Sequence, residues 1–173
     1  IDSRISGSVD AYIRKTEDLL NTVTIPTGSN FSNELLTNVG SLENKGVEAT
    51  INVIPVSTKD MSLNLGFNFT YNQNTITKLN LTDDPNYRIL YGDAFTGQKQ
   101  VTMVGYAPFS YFLNKQVYDA SGNPIEGLYV DLSGKGGTVN GDNEDKYIYK
   151  KPVADYIMGF SIRFDYKNFD FSL

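Results

Sequence analysis

Residues 131–142 combine side-chain types and spacings that could bind a metal ion. Oxygen-bearing Asp131 and Ser133 precede a glycine at position 136, and Asp142 follows at the end of the segment. A calcium loop places oxygen ligands at positions 1, 3 and 5 and glycine at position 6. Lys135 puts a cation at the fifth position, where the ion needs an oxygen. The favoured interpretation is therefore a glycine-rich turn that needs no cofactor, with a calcium site as the alternative.

Aromatic side chains are concentrated between residues 87 and 112, and they are the second candidate for a binding surface. The segment contains Tyr87, Tyr91, Phe95, Tyr106, Phe109, Tyr111 and Phe112. Flat rings stack on sugar faces or pack against a protein partner. We predict that Tyr106, Phe109 and Tyr111 contact a substrate or a partner. The alternative is that these rings form a small core within their own segment.

The composition excludes several kinds of catalytic chemistry. The sequence contains no Cys and no His, so a thiolate nucleophile, a Ser-His-Asp triad and an HExxH zinc site cannot be built from it. Carboxylates at Asp10, Glu48 and Asp170 lack the spacing that would support a glycoside hydrolase pair. With 15 Lys and Arg against 20 Asp and Glu, the chain is also a poor partner for nucleic acid. We predict that it is not an enzyme.

The element that must position these groups is clearest at residues 61–72, where apolar and polar side chains alternate without interruption. Successive side chains of a strand point to opposite faces, so this segment predicts one strand with an apolar and a polar face. The run exceeds the usual strand of about five or six residues and matches the roughly 9–11 that cross a bilayer when tilted. We expect lipid against Leu63, Leu65, Phe67 and Phe69. We expect water against Asn64, Asn68 and Asn72.

The same alternation predicts four further strands, at residues 5–13, 47–53, 156–164 and 169–173. Pro55 has no N–H to give to a ladder and is expected to end the second strand. Aromatic residues near the last turn are expected to form a girdle at the periplasmic interface, namely Tyr156, Tyr166, Phe169 and Phe171. No apolar run approaches the roughly 18 residues of a transmembrane helix.

Connections between these strands differ greatly in length. Those at 55–60 and 167–168 are short, whereas 17–42 and 78–152 are long and rich in turn-forming residues. Outer-membrane barrels have short periplasmic turns and long extracellular loops. We expect no full crossing within 78–152, although hairpins are compatible with it. Five strands cannot close a barrel, which needs about eight, so the predicted fold is an all-β, antiparallel transmembrane barrel segment that is part of a larger barrel.

Three segments resemble one family of transporters. Residues 38–48 (NVGSLENKGVE), residues 117–132 (VYDASGNPIEGLYVDL) and residues 152–170 (PVADYIMGFSIRFDYKNFD) are similar to motifs in the late barrel of SusC/RagA-type TonB-dependent outer-membrane transporters. The resemblance covers nearly the whole chain, so residues 1–173 are expected to be a portion of the C-terminal half of such a barrel. It implies import of oligosaccharides or peptides across a Gram-negative outer membrane. It also implies a SusD-type surface lipoprotein as partner, with TonB acting through other parts of the receptor.

A soluble β-sandwich is the competing interpretation, as a carbohydrate-binding or adhesin-like module. Such a fold would also alternate apolar and polar residues and display surface tyrosines. It predicts strands of ordinary length with turns every 8–12 residues or so. The long interruption at 78–152 fits that expectation poorly.

Overall fold

The regular elements of the described part of the chain are all β-strands. The structure is a computed structural model that describes residues 4–28, 31–81, 84, 86–92, 97–136 and 144–173. The strands are β1 (Ile5–Thr24), β2 (Glu34–Ser57), β3 (Met61–Lys78), β4 (Arg88–Tyr91), β5 (Gln100–Met103), β6 (Ser110–Asn114), β7 (Gln116–Tyr118), β8 (Pro124–Tyr129), β9 (Lys146–Ile148), β10 (Tyr156–Tyr166) and β11 (Phe169–Ser172). The predicted all-β class is confirmed. None of the described residues belongs to a helix that could cross a membrane.

The described residues form three antiparallel sheets. One has five strands in the order β1-β2-β3-β10-β11, one has four in the order β4-β5-β6-β9, and β7 pairs with β8 alone. The five strands of the first sheet are those that the alternation predicts. After β3 the chain rejoins this sheet only at β10, so the described part of the segment 79–155 contributes no strand to it. That segment is not structureless, because it contains β4 to β9.

The chain divides into two compact units. The first unit comprises Ile1–Lys15, Glu43–Asn74 and Ala154–Leu173, and the second comprises Thr16–Leu42 and Thr75–Val153. The second unit closely matches the two long excursions that the sequence predicts, but the prediction of a loop over 17–42 is wrong. β1 continues to Thr24 and β2 begins at Glu34, and Ile25 N donates to Asn33 O at 2.8 Å.

Turn-forming residues misled the prediction over 17–42 because two of them, Asn38 and Gly40, lie inside the paired strand β2. Gly40 is buried within β2, and a Cβ added there would lie 2.9 Å from the Cβ of Leu19. This glycine therefore makes room for a neighbouring side chain rather than for a turn. Pro55 likewise lies within β2, which ends at Ser57. One missing donor close to the connection removes a single ladder bond and does not end the strand.

The ladder between β3 and β10 separates an apolar from a polar face. Phe67 lies opposite Phe160, and Leu65 lies opposite Ile162. One residue further along, Asn68 lies opposite Gly159, and a Cβ at that glycine would come within 2.5 Å of the Asn68 Oδ1. The two rows of side chains thus lie on opposite faces, as the alternation predicts. We call the face with Asn64, Asn68 and Asn72 the polar face.

Burial distinguishes the two units sharply. Within its described residues the first unit buries no large apolar side chain, and Phe160, at the middle of its apolar face, is 62% exposed. All the buried apolar side chains that the structure describes belong to the second unit, namely Val23, Val39, Ile76, Leu79, Val101 and Phe112. A β-sandwich would cover one face of each sheet with the other sheet. The first unit instead leaves its apolar face open, as a barrel wall in lipid does.

Aromatic rings lie at both ends of the β3–β10 ladder. Tyr71 and Tyr156 are in ring contact at 5.0 Å at one end, and Tyr166 pairs with Phe169 across the short turn at the other. The placement of Tyr156 in a periplasmic girdle is therefore wrong, because β10 carries it to the end remote from that turn. Ten residues at about 3.3 Å rise, tilted by about 40°, span about 25 Å, which is the height of the apolar band in outer-membrane barrels.

Candidate functional site

The four-stranded sheet of the second unit aligns aromatic side chains across its strands. Tyr91 on β4 lies opposite Gln100 on β5, which lies opposite Tyr111 on β6. Residues directly opposite one another in an antiparallel ladder share a face, so these three side chains form one row. Beyond Tyr111 the row continues to Tyr149, whose N–H donates to Tyr111 O at 3.0 Å.

A β-bulge extends this row past the end of β9. Tyr111 N donates to Lys150 O at 2.7 Å, so Tyr149 and Lys150 together face the single residue Tyr111. Tyr149 also contacts Tyr147 edge to face, with the ring centroids 5.8 Å apart. The Lys150 ammonium lies 5.1 Å from the Tyr149 ring centroid, where the ring face attracts a cation.

Phe109 joins the row through an unusual backbone conformation. Its φ is +58°, which is uncommon for a residue with a side chain. Three contacts hold it there: Phe109 N donates to Thr102 Oγ1 at 3.1 Å, Gln100 Nε2 donates to Phe109 O at 3.3 Å, and the Phe109 ring lies 4.8 Å from that of Tyr91. The ring nevertheless remains 48% exposed. We call the set Tyr91, Phe109, Tyr111, Tyr147 and Tyr149 the aromatic row.

The other face of the same sheet is the core of the second unit. Val101 is fully buried and Phe112 is 3% exposed. The Phe112 ring centroid lies 5.3 Å from the Arg88 guanidinium and 5.8 Å from the Lys146 ammonium, so two cations contact one ring. For Phe112 the interpretation as a local core residue is therefore correct.

The three predicted contact residues are only partly brought together. Phe109 and Tyr111 belong to the aromatic row, whereas Tyr106 lies in the connection between β5 and β6, with its N–H donating to Met103 O at 3.2 Å. Within the described chain no ring contact joins Tyr106 to the row. Phe95 lies outside the described residues. The sequence prediction missed Tyr147 and Tyr149, although Lys146–Tyr149 alternates charged or aliphatic residues with tyrosines, which is a strand signal.

The candidate calcium loop forms a hydrogen-bonded turn. Asp131 Oδ1 accepts from Gly134 N at 2.7 Å and from the Ser133 hydroxyl at 2.9 Å, and its Oδ2 accepts from Gly136 N at 2.7 Å. These hydrogen bonds lower the pKa of the Asp131 carboxyl from its usual value, and the bond from the Gly136 N–H has the largest effect. Both oxygens are thus committed to the loop itself. Asp142 lies outside the described residues, among which no group of three potential ligands is assembled.

Asp119 organises the hairpin of β7 and β8. Its Oδ1 accepts from Ser121 N and from Asn123 N, each at 2.8 Å, and its Oδ2 accepts from Asn123 Nδ2 at 3.1 Å. The Asn123 bonds are the main cause of a lowered Asp119 pKa. Gln116 Nε2 adds donations to Ile125 O at 2.6 Å and Leu128 O at 3.1 Å. An isolated two-stranded hairpin is at best marginally stable. We therefore expect the hydrogen bonds of these side chains to keep the hairpin folded.

We expect Asp119→Ala to speed amide exchange across residues 116–129 of the intact protein at neutral pH. The Asp119 pKa is lowered in the folded chain, so its stabilising effect is complete above the ordinary value of 3.8 and is lost as the pH falls through the lower folded pKa. Asp119→Asn, which resembles the protonated acid, should give intermediate exchange. Hydrogen–deuterium exchange mass spectrometry measures this, and Glu126→Ala in the same hairpin is the control. Equal exchange in the Asp119 and Glu126 variants would contradict the role assigned to Asp119.

Comparison with known proteins identifies the family. No family model matches the sequence. The TonB-dependent receptor SusC of Bacteroides thetaiotaomicron is 48% identical over 99% of this chain. The chain belongs to the SusC/RagA-type TonB-dependent receptors. The TonB-dependent receptor P3 of Formosa agariphila is 35% identical, again over 99% of the chain.

The structure of the RagAB peptide transporter shows the corresponding fold. The matching chain of that transporter is 23% identical in sequence to this chain. The two align with a TM-score of 0.70 over 99% of this chain and 19% of the transporter chain. This chain spans 17% of the length of SusC and 18% of that of P3, so it corresponds to under a fifth of either receptor. Receptors of this type are outer-membrane proteins of Gram-negative Bacteroidetes, and the first unit is a segment of their barrel.

Proposed function

We propose that the receptor containing this chain imports a large nutrient, an oligosaccharide or a peptide, across the outer membrane with a SusD-type lipoprotein as partner. One observation supports the transport role above the others. The first unit exposes its apolar side chains on one face, between aromatic rings about 25 Å apart in height, and lines the opposite face with asparagines. A sheet built in this way fits a wall between lipid and a water-filled passage.

The aromatic row supports the second part of the proposal. Soluble surfaces rarely gather several exposed rings on one sheet face, and such rings are favoured where proteins associate. Tyr111 and Tyr149 are 38% and 53% exposed, although they belong to a sheet whose other face is well packed. We assign the row to docking of the lipoprotein. TonB acts on other parts of the receptor, and neither a catalytic group nor a cofactor is required.

The proposal is tested by replacing two rings of the row in the intact receptor. Tyr111→Ala with Tyr149→Ala should leave the receptor in the outer membrane at its normal level. Co-purification of the lipoprotein should fall by about tenfold, corresponding to about 1.4 kcal/mol, and growth on the cognate nutrient should slow. Tyr106→Ala with Tyr118→Ala is the matched control, because both rings are exposed and both lie off the row.

Three results would each contradict a different part of the proposal. Unchanged lipoprotein recovery with the row variant would show that the partner docks elsewhere. Growth of a strain lacking the receptor on every nutrient that supports the wild type would contradict import itself. If the chain belonged to a soluble carbohydrate-binding module, fractionation of the same cells would recover the full-length protein in the soluble fraction and not in the outer membrane.

A further inference from the structure

We propose that the polar face of the first unit binds a neutral sugar residue in a pocket formed by Tyr12, Arg14, Asn44, Glu48 and Asn72. The inference rests on the proposed import function, which leaves the substrate open between oligosaccharides and peptides. It also assigns substrate contact to the barrel wall rather than to the long excursions.

The pocket is assembled from three neighbouring strands. Tyr12 and Arg14 lie on β1, Asn44 and Glu48 on β2, and Asn72 on β3. The cavity has a volume of about 450 Å³. Ligand pockets commonly measure roughly 300–1,000 Å³, so one or two sugar rings fit.

The Tyr12 ring is seated on a glycine. A Cβ added to Gly46 would lie 2.5 Å from the Tyr12 Cζ and 2.8 Å from its Cε1, so the ring packs directly against the backbone there. Gly46 is buried while Tyr12 is half-buried, which leaves part of the ring open. A fixed, flat ring edged by polar groups suits the C–H face of a sugar, with the hydroxyl groups reaching the surrounding side chains.

The polar groups of the pocket do not satisfy one another. The Oδ1 atoms of Asn44 and Asn72 are buried and lack a hydrogen-bond partner in the described part of the chain. Buried polar atoms are normally paired, so each such atom needs an explanation, and a bound ligand or water is one. Sugar hydroxyls both donate and accept, and therefore can donate to these two oxygens and accept from the Arg14 guanidinium.

Charge and composition favour a neutral sugar over a peptide. Arg14 and Glu48 contribute opposite charges, so the pocket has no net charge for an ionic ligand to match. The residues that line it are one aromatic and four polar or charged, with no aliphatic side chain among them. A peptide's apolar side chains would find no complementary surface there.

The height of the pocket on the wall suits an incoming substrate. Asn72 directly follows Tyr71, whose ring contacts Tyr156 on the opposite face at the end of the ladder remote from the short turns. Barrels of this kind place short turns on the periplasmic side. The pocket therefore lies at the outer end of the passage.

The test is binding of labelled probes to the purified intact receptor in detergent. The probes are neutral linear α-glucan, β-glucan, β-mannan and β-fructan oligosaccharides and, separately, a tryptic digest of casein. We expect at least one oligosaccharide to bind, and Tyr12→Ala and Glu48→Gln each to weaken that binding by about tenfold. Tyr12→Phe keeps the ring and should stay within about threefold of the wild type. Asn64→Ala, on the same face outside the pocket, should not change binding.

Each contrary outcome has a distinct meaning. Oligosaccharide binding that is unaffected by Tyr12→Ala and Glu48→Gln would overturn the pocket and leave import intact. A lowered Tm with unchanged binding would show that these side chains stabilise the barrel wall and do not bind substrate, which also overturns the proposal. Binding of casein peptides instead of sugars would overturn the assigned ligand class. If the wild type neither binds nor takes up either class, the proposed function fails as well.

Discussion

Phe67→Arg is expected to destabilise the intact receptor by about 2–4 kcal/mol, the cost of a cation on the lipid face near the bilayer midplane. Phe67 lies on the apolar face opposite Phe160, near the middle of the β3–β10 ladder. Since the side chain has no water at that depth, the charge must be buried in hydrocarbon or distort the wall around it. The level of folded receptor in the outer membrane, and its unfolding by urea in lipid vesicles, measure the effect.

Asn68→Arg is the matched control. Residue 68 is adjacent on β3 and equally central, but its side chain lies on the polar face above Gly159. A charge there remains hydrated, so the unfolding free energy should change by less than about 1 kcal/mol. Similar destabilisation by both arginines would show that the two faces do not differ in solvent and that the first unit is not a barrel wall.

Phe112→Ala is expected to lower the opening free energy of the four-stranded sheet by about 3–5 kcal/mol, while the barrel stays folded. The ring is 3% exposed and lies against the Arg88 and Lys146 cations, so its removal leaves a cavity and two cations without their aromatic partner. Amide exchange of β5 and β6 in the intact receptor should accelerate by at least about a hundredfold, since 1.4 kcal/mol corresponds to a factor of ten.

Tyr111→Ala controls for the loss of a ring as such. Tyr111 is the neighbouring residue on β6, but it is exposed on the aromatic row, so its removal should change sheet opening by about 1 kcal/mol or less. Lipoprotein docking should instead be weakened more by Tyr111→Ala than by Phe112→Ala. Acceleration of exchange by Tyr111→Ala as large as that by Phe112→Ala would mean that the row, and not the opposite face, is the packed side.

Sequence periodicity predicts strands well only where the two faces of the sheet contact different environments. In β3 and β10 lipid and water impose a strict alternation, and both strands begin at the predicted residue, although β3 extends beyond residue 72 to Lys78 and β10 beyond residue 164 to Tyr166. Residues 16–24 of β1 are mostly polar and lack that alternation, so only their pairing partner reveals a strand. β7 and β9 have 3 residues each, too few for any period to be detected.

The aromatic row depends on information that the sequence does not contain. Individual tyrosines are easy to notice, but their common face follows from the registers between β4, β5 and β6 and from the bulge at Tyr149 and Lys150. A shift of one residue in any of these pairings would place a ring on the buried face. The Asp119 turn is the opposite case, since all its hydrogen bonds lie within five consecutive residues.

The direct pairing of β3 with β10 has a consequence for how the chain folds. β10 and β11 are joined by a tight turn and β2 and β3 by a short one, so each pair can form locally, on the microsecond scale of hairpins. The seam between β3 and β10 must instead bring together strands separated by residues 79–155. Closing that interval costs chain entropy before any ladder bond compensates for it. We expect early formation of the local sheet of β4, β5 and β6 to shorten the free chain that the seam has to close, so this excursion would assist assembly in addition to the docking role proposed for its aromatic row.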